Sequence, residues 1–355
     1  MKRLVGTLTL AISALSVQAQ DVYMPYNRDT YHLVDRYQIK YGSQVPNMHT
    51  AVRPYGRADV AELAEISARN AQNAVDEFNT TYLLNDNWNY TNLAQNESRK
   101  PFLSYFYRNK TDLYHVDTED FVLRVNPVLH FEVGVDSESD GVRYINTRGV
   151  QVEGNIDERF GFYAFVGENQ ARFAEYVNRR IRRDGVVPHE GFWKDFKEDG
   201  TDFITARGYL NYALSKHVEV QLGHDRHFIG DGYRSLIYSD YAPPAFFLKL
   251  NTKVWKLHYM NLFQELIPVF NRRDELYPKK YMAMHRLGVN VTDNFNFGLF
   301  EQIVFARGKG RFELQYLNPV IFYRSVEHGL GSPDNAMLGC DFRWNLWNRV
   351  QLYGQ

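Results

Sequence analysis

From Phe121 to the end of the chain, apolar and polar residues alternate with a period of two. Ile204, Ala206, Gly208, Leu210, Tyr212 and Leu214 alternate with Thr205, Arg207, Tyr209, Asn211 and Ala213. Val218, Val220 and Leu222 alternate with Glu219, Gln221 and Gly223, and Phe246, Leu248, Leu250, Thr252 and Val254 with Phe247, Lys249, Asn251 and Lys253. Successive side chains of a strand point to opposite faces, so each segment has one apolar face and one polar or small face. The pattern predicts about eleven strands of roughly 7–16 residues between Asp120 and Gln355, near the length a tilted membrane strand needs.

Short and long connections alternate along this stretch. Ile156–Arg159, Ser215–His217, Trp255–Lys256, Asp293–Asn294 and Trp347–Asn348 read as tight turns. Arg172–Asp202, Ile229–Ala245, Leu266–Lys279 and Ala306–Ala336 are long links; Asp136–Gly141 is short but falls in the long phase. Up-and-down membrane barrels connect strands this way, with short periplasmic turns and long outer loops. A soluble sandwich would also alternate along its strands, but its loops need not alternate in length.

The first 118 residues follow other periods. Met1-Lys2-Arg3, the short apolar stretch Leu4–Val17 and Val17-Gln18-Ala19 form the three-part pattern of a secretory signal peptide, residues 1–19. Residues 20–118 are expected to be a small periplasmic, partly helical region. Ala61, Ala64, Ala68, Ala71, Val75 and Phe78 recur at helical spacing and predict one helix over about 57–78, ended by Asn79-Thr80-Thr81. Phe102–Arg108 and Asp112–Val116 predict a β-hairpin around Asn109-Lys110.

Composition narrows the class. Among 355 residues, 41 Lys+Arg against 42 Asp+Glu leave a net charge of −1, which gives no electrostatic reason for a nucleic-acid partner. A single cysteine, Cys340, rules out an intramolecular disulfide framework. Past the N-terminus no apolar run reaches the roughly 18 residues of a transmembrane helix. The excess is aromatic, with 25 Tyr and 24 Phe. Tyr163, Tyr212, Tyr238, Tyr241, Phe246, Phe247, Trp255, Tyr259, Tyr281, Phe295, Phe305, Trp344 and Trp347 fall near strand ends, where barrels carry their interfacial girdles. The expected fold class is therefore all-β: an outer-membrane antiparallel up-and-down β-barrel over 119–355. Bacterial barrels close with an even number of strands. The eleventh strand, Arg349–Gln355, lacks a terminal aromatic residue, so the barrel is expected to be C-terminally truncated.

Candidate chemistry lies in the links. Gly223–Ser235 holds His224, Asp225, Arg226, His227, Asp231, Tyr233 and Arg234, and Asp240 follows before Pro243-Pro244. On a strand, His224 and His227 point to opposite faces, a poor arrangement for a metal. His227 and Asp231 could act as an acid/base pair, but no nucleophile at a recognised elbow accompanies them. The leading reading is a loop folded into the lumen and fixed by Arg–carboxylate bonds, with Gly230 and Gly232 at its sharp turn. A second cluster, Asn318, Tyr323, Arg324, Asp334 and Asn335, offers rings, amides and carboxylates suited to sugars. In the link Arg172–Asp202, the basic run Arg179, Arg180, Arg182 and Arg183 would attract an acidic polysaccharide or lipopolysaccharide phosphate, or else is merely solvated. No cofactor or catalytic residue is expected.

Several of these segments resemble one family. His49–Val60 (HTAVRPYGRADV), Gly223–Pro244 (GHDRHFIGDGYRSLIYSDYAPP), Leu317–Tyr323 (LNPVIFY) and Ser332–Ala336 (SPDNA) are similar to the signatures of the Wzi-like capsule assembly proteins, in the branch found in Bacteroidetes. Members of that branch are often labelled gliding motility protein RemB. The resemblance covers nearly the whole chain after the signal peptide, and its central motif is specific. It implies an outer-membrane barrel with a small periplasmic helical part that holds capsular polysaccharide in a lectin-like manner, without catalysis. The partners it implies are outer-membrane lipid, capsular or surface polysaccharide, and other envelope or motility proteins. A transport channel for small solutes and an outer-membrane hydrolase are the competing expectations.

Overall fold

The computed structural model describes residues 22–26, 28–45, 47–157, 159–268, 277–320 and 322–355. The expected signal peptide lies outside these residues, as do Ile321 of the third motif and most of the Leu266–Lys279 link. In chain order the elements are α1 (Arg28–Tyr41), β1 (Val52–Arg53), α2 (Arg57–Arg69), α3 (Ala74–Asp86), β2 (Tyr114–Asp117), β3 (Phe121–Asp136), β4 (Ser139–Ile156), β5 (Phe160–Arg172), α4 (Glu175–Asp184), β6 (Lys194–Phe196), β7 (Gly200–Ala213) and β8 (Val218–Asp225). There follow β9 (Phe228–Ile229), β10 (Ala245–Val254), β11 (Leu257–Leu266), β12 (Lys280–Thr292), β13 (Phe295–Phe305), α5 (Tyr323–Leu330), β14 (Asn335–Leu346) and β15 (Val350–Gly354).

Strands β3, β4, β5, β7, β8, β10, β11, β12, β13, β14 and β15 form one antiparallel meander, each bonded to its neighbours in sequence order, with β2 beside β3 and β6 beside β7. The tight turns fall where the alternation ends: β10 and β11 are joined by Trp255–Lys256 and β12 and β13 by Asp293–Asn294. The protein is thus mostly antiparallel sheet. The sheet does not close into a barrel, because no pairing joins β2 to β15 among the described residues.

On several strands the apolar parity is exposed and the polar parity buried: Ile204 is 66% exposed while Thr205 is 7% exposed, and Leu210 and Tyr212 are open while Asn211 is sealed. The same holds for Leu222 against Gln221 and for Phe246 against Lys249 and Asn251. The enclosed face is not uniformly polar, since Tyr163, Phe165, Phe247, Met260, Leu262, Met282, Met284 and Phe300 form a buried cluster there. On β3 the outward row Leu129, Phe131, Val133 and Val135 stands free.

The N-terminal region fills the enclosed face. Arg57 on α2 meets Glu153 of β4 at 2.9 Å, and Tyr23 bonds Tyr209 of β7 and Glu219 of β8. Asp59 meets Lys253 of β10, His49 lies against His258 of β11, and Gln38 accepts from Asn345 of β14 at 3.1 Å. Strands sit about 4.8 Å apart, so β4 and β14 would be roughly 40 Å apart in a flat sheet. One small helical region touching both requires the sheet to wrap around it.

Three local expectations change. The single helix 57–78 is two helices: α2 stops at Asn70, and Asn73 opens α3 by accepting the Asp76 N–H at 2.9 Å. An asparagine that caps a new helix ends the old one. Ala61 and Ala64 are buried as the spacing requires, but Val75 and Phe78 belong to α3 and are exposed, and Thr80 sits inside α3. The hairpin 102–116 does not form. Leu103, Ser104 and Tyr107 have positive φ, incompatible with a regular strand, and Tyr114–Asp117 pairs with β3 instead. The aromatic girdle is partial. Tyr212, Phe246, Trp255, Trp344 and Trp347 are exposed, whereas Tyr163 and Phe247 pack inward and Tyr281 and Phe305 lie beneath the β13–β14 link.

That link doubles back over the outer face of β10–β13. Tyr316, Tyr323 and Val326 bury Phe263, Ala283 and Ile303, and Glu301 accepts the backbone N–H groups of Tyr323 and Arg324 at 2.8 and 2.9 Å. A strand carboxylate thereby serves the otherwise unpaired first turn of α5.

Candidate functional site

Two of the sequence motifs meet inside the sheet. β1, from the motif 49–60, pairs with β9, from the motif 223–244, through Val52↔Ile229 and Arg53↔Phe228, and Gly230 N–H donates to Ala51 O at 2.7 Å. Phe228 and Ile229 are fully buried, and the Arg53 guanidinium lies 4.9 Å from the centre of the Phe228 ring. Gly230 (φ 119°) and Gly232 (φ 134°) make the turn that releases the chain from this pairing. The loop is fixed chiefly by this short ladder and by apolar burial, with the Arg226–Glu190 pair at its edge.

Beside this plug, at the long-link end of β3–β5, lies a cavity of 1080 Å³. A chain of hydrogen bonds runs along it: Thr147 to Asn169 at 2.7 Å, Asn169 to Thr205 at 3.0 Å, Thr205 to Glu190 at 2.7 Å, and Arg226 to Glu190. Each link fixes the next side chain, so the polar surface is set before any ligand arrives. Tyr144, Phe173, Tyr176 and Tyr241 add ring surface. His189 lies edge-on to Tyr241 at 4.9 Å and bonds Asp240 O at 2.7 Å through Nδ1, and the Arg180 guanidinium sits 5.4 Å from the Tyr241 ring centre. Aromatic faces beside fixed amide, hydroxyl and guanidinium groups match the alternating apolar and hydroxyl faces of sugars.

The first predicted cluster is divided by this geometry. Arg226, Arg234 and Asp240 line the cavity. Asp225, His227 and Asp231 instead secure the interior. Asp225 lies 3.8 Å from Arg207, and the His227 ring is edge-on to Phe247 at 4.4 Å with both nitrogens buried. Burial in that apolar setting, with Lys249 nearby, holds the His227 pKa well below its ordinary value. Asp231 borders a separate polar cavity of 150 Å³ with Arg53, Tyr55 and Arg343; burial raises its pKa, and the facing Arg343 and Arg286 charges oppose that rise. His227 and Asp231 therefore have different surroundings and form no acid/base pair. His224 is exposed on the opposite parity, and Tyr233 is exposed with the Arg234 guanidinium over its ring.

The second cluster is divided: Tyr323 and Asp334 are committed to internal partners, while Asn318, Arg324 and Asn335 stay exposed. Tyr323 is buried and stacked on His285 at 4.4 Å. Asp334 receives Arg307 through both oxygens at 2.7 Å, together with Tyr316 and Ser332. Burial opposes its ionisation, yet these partners hold its pKa at about 2. Asn318 serves the Val320 N–H, Arg324 pairs with Glu327, and Asn335 begins β14 in the open. The basic run is helix α4 rather than a loop. Arg179 pairs with Glu138, Arg182 with Glu175, and Arg180 and Arg183 both with Asp184, so only Arg180 of the four reaches the cavity.

Thr147, Asn169, Arg143, Arg172, His189 and Glu190 were not singled out by the sequence. They come from two strands, β4 and β5, and a link, and only the fold brings them together. Among the described residues no three His, Cys, Asp or Glu side chains converge as metal ligands, and no helix is long and apolar enough to cross a membrane. No family model matches the chain, and no curated protein matches it.

Proposed function

We propose that this protein is a non-enzymatic outer-membrane barrel protein of the Wzi-like kind that retains or organises capsular or surface polysaccharide. In this reading its tight turns and N-terminal region are periplasmic and its long links extracellular. The observation that carries the proposal is the preset aromatic and polar cavity of 1080 Å³ at the long-link end. The outward row of exposed apolar side chains supports placement in lipid, since it would be costly in water and suits an acyl environment. The motif resemblance supports the polysaccharide and a link to gliding motility. Deleting the gene should release capsule into the medium while synthesis continues; unchanged cell-associated capsule would sink the proposal.

Placement is tested separately with the native thiol. Cys340 is exposed on β14, on the parity of Leu299 and the outer face. In a lipid-reconstituted sample it should resist a water-soluble maleimide that labels it in denaturant. Equal labelling in both would count against the membrane reading. A solute channel is disfavoured by the plug, and planar-bilayer recordings should show no steady open conductance.

A further inference from the structure

We propose that the groove selects a carboxylated sugar, so that the polysaccharide held is an acidic one; this rests on the polysaccharide reading above. Five arginines and three carboxylates line the cavity. At its rim Arg143 and Arg172 both bond the same Asp199 oxygen, at 3.3 and 2.5 Å. At the end of α4, Arg180 and Arg183 both bond Asp184. At each place two guanidiniums share one carboxylate. Asp199 is 44% exposed, so a ligand can approach the shared site. The Arg143 side chain is only 9% exposed, and its Nε has no hydrogen-bond partner. A buried guanidinium N–H without an acceptor is a standing cost that an incoming anion removes. The planar fork of arginine matches a sugar carboxylate, and the nearby Tyr241 ring supplies a stacking face for the same sugar unit. The size of the groove, above the roughly 300–1,000 Å³ usual for small-molecule pockets, suits a stretch of polymer rather than a single ring.

The test is calorimetric titration of the detergent-solubilised full chain with oligogalacturonate as the carboxylated probe and maltoheptaose as the neutral one. Oligogalacturonate should bind, and its affinity should fall roughly tenfold as salt rises from about 0.05 to about 0.5 M, because screening weakens charge pairing. Arg172→Gln and Arg180→Gln should each weaken it by about tenfold, as expected for one lost charge-assisted contact. Arg179→Gln, on the part of α4 away from the groove, should leave it unchanged, and circular dichroism of every variant should keep the strand signal. Maltoheptaose binding as tightly, without salt or arginine dependence, would overturn acid selection and leave the polysaccharide reading standing. Binding of neither probe would overturn both.

Discussion

At the residue scale, the joint between the N-terminal region and the sheet is a buried charge network. Arg57 and Arg124 converge on Glu153 at 2.9 and 3.0 Å; Asp86 meets both arginines, and Asp112 meets Arg124. Burial would raise the pKa of Asp86, but the two guanidiniums outweigh it and hold that pKa below its ordinary value. Removing Arg57 leaves Asp86 and the buried Glu153 to share Arg124, so Arg57→Leu should lower the thermal midpoint, by at most about 3–5 kcal/mol of stability. His49 supplies a pH dependence. Burial, with help from Lys253, Arg286 and Arg343, lowers its pKa from 6.5 to about 3. The unfolded chain then binds a proton that the folded one refuses between those values. The contribution of His49 to stability is complete above pH 6.5 and lost as the pH falls toward 3. Melting curves of His49→Gln should be flatter over this window than those of the wild type; parallel curves would rule His49 out as the cause.

At the element scale, the two-residue ladder β1–β9 does more than its length suggests. It joins segments about 175 residues apart in sequence and seals Phe228 beneath Arg53. Phe228→Ala should cost about 3–5 kcal/mol and loosen the central loop, measurable as faster amide exchange at Ile229 and Gly230. The β13–β14 link depends on Glu301 in a different way. Glu301→Gln keeps the shape but removes the negative charge from the first turn of α5, so exchange at Tyr323 and Arg324 should quicken. Unchanged protection there would mean that apolar packing of Tyr316 and Tyr323 alone holds the link. Asparagines at 70 and 73 explain why the alanine spacing overstated the helix: the apolar period ran on, while side-chain capping broke the backbone.

At the scale of the molecule, the exposed apolar rows of β3 and β7 suit the lipid surroundings proposed above. Leu210→Arg, on the outer parity, should cost roughly 2–4 kcal/mol of folding into lipid vesicles if the site lies near mid-depth. A small effect for Leu210→Arg in vesicles would favour an aqueous outer face. The enclosed side is occupied by α1–α3, by β1 and by the central loop.

The sequence by itself determined the strands, because a period of two with apolar residues on one parity is a local property readable at Ile204–Leu214 and Phe246–Val254. It also marked the tight turns and the polar links. The membrane-barrel expectation put the apolar parity outward, but the sequence could not say what fills the space the sheet surrounds or that Phe247, Met260, Leu262 and Met284 would be buried there. Nor could it assemble Thr147, Asn169, Thr205, Glu190 and Arg226, which share no spacing and meet only through the register of β4, β5 and β7 and the return of two links. Tyr323 and Asp334 had the composition of a sugar surface and became internal supports, because tertiary packing decides whether a ring or a carboxylate faces solvent or a neighbour.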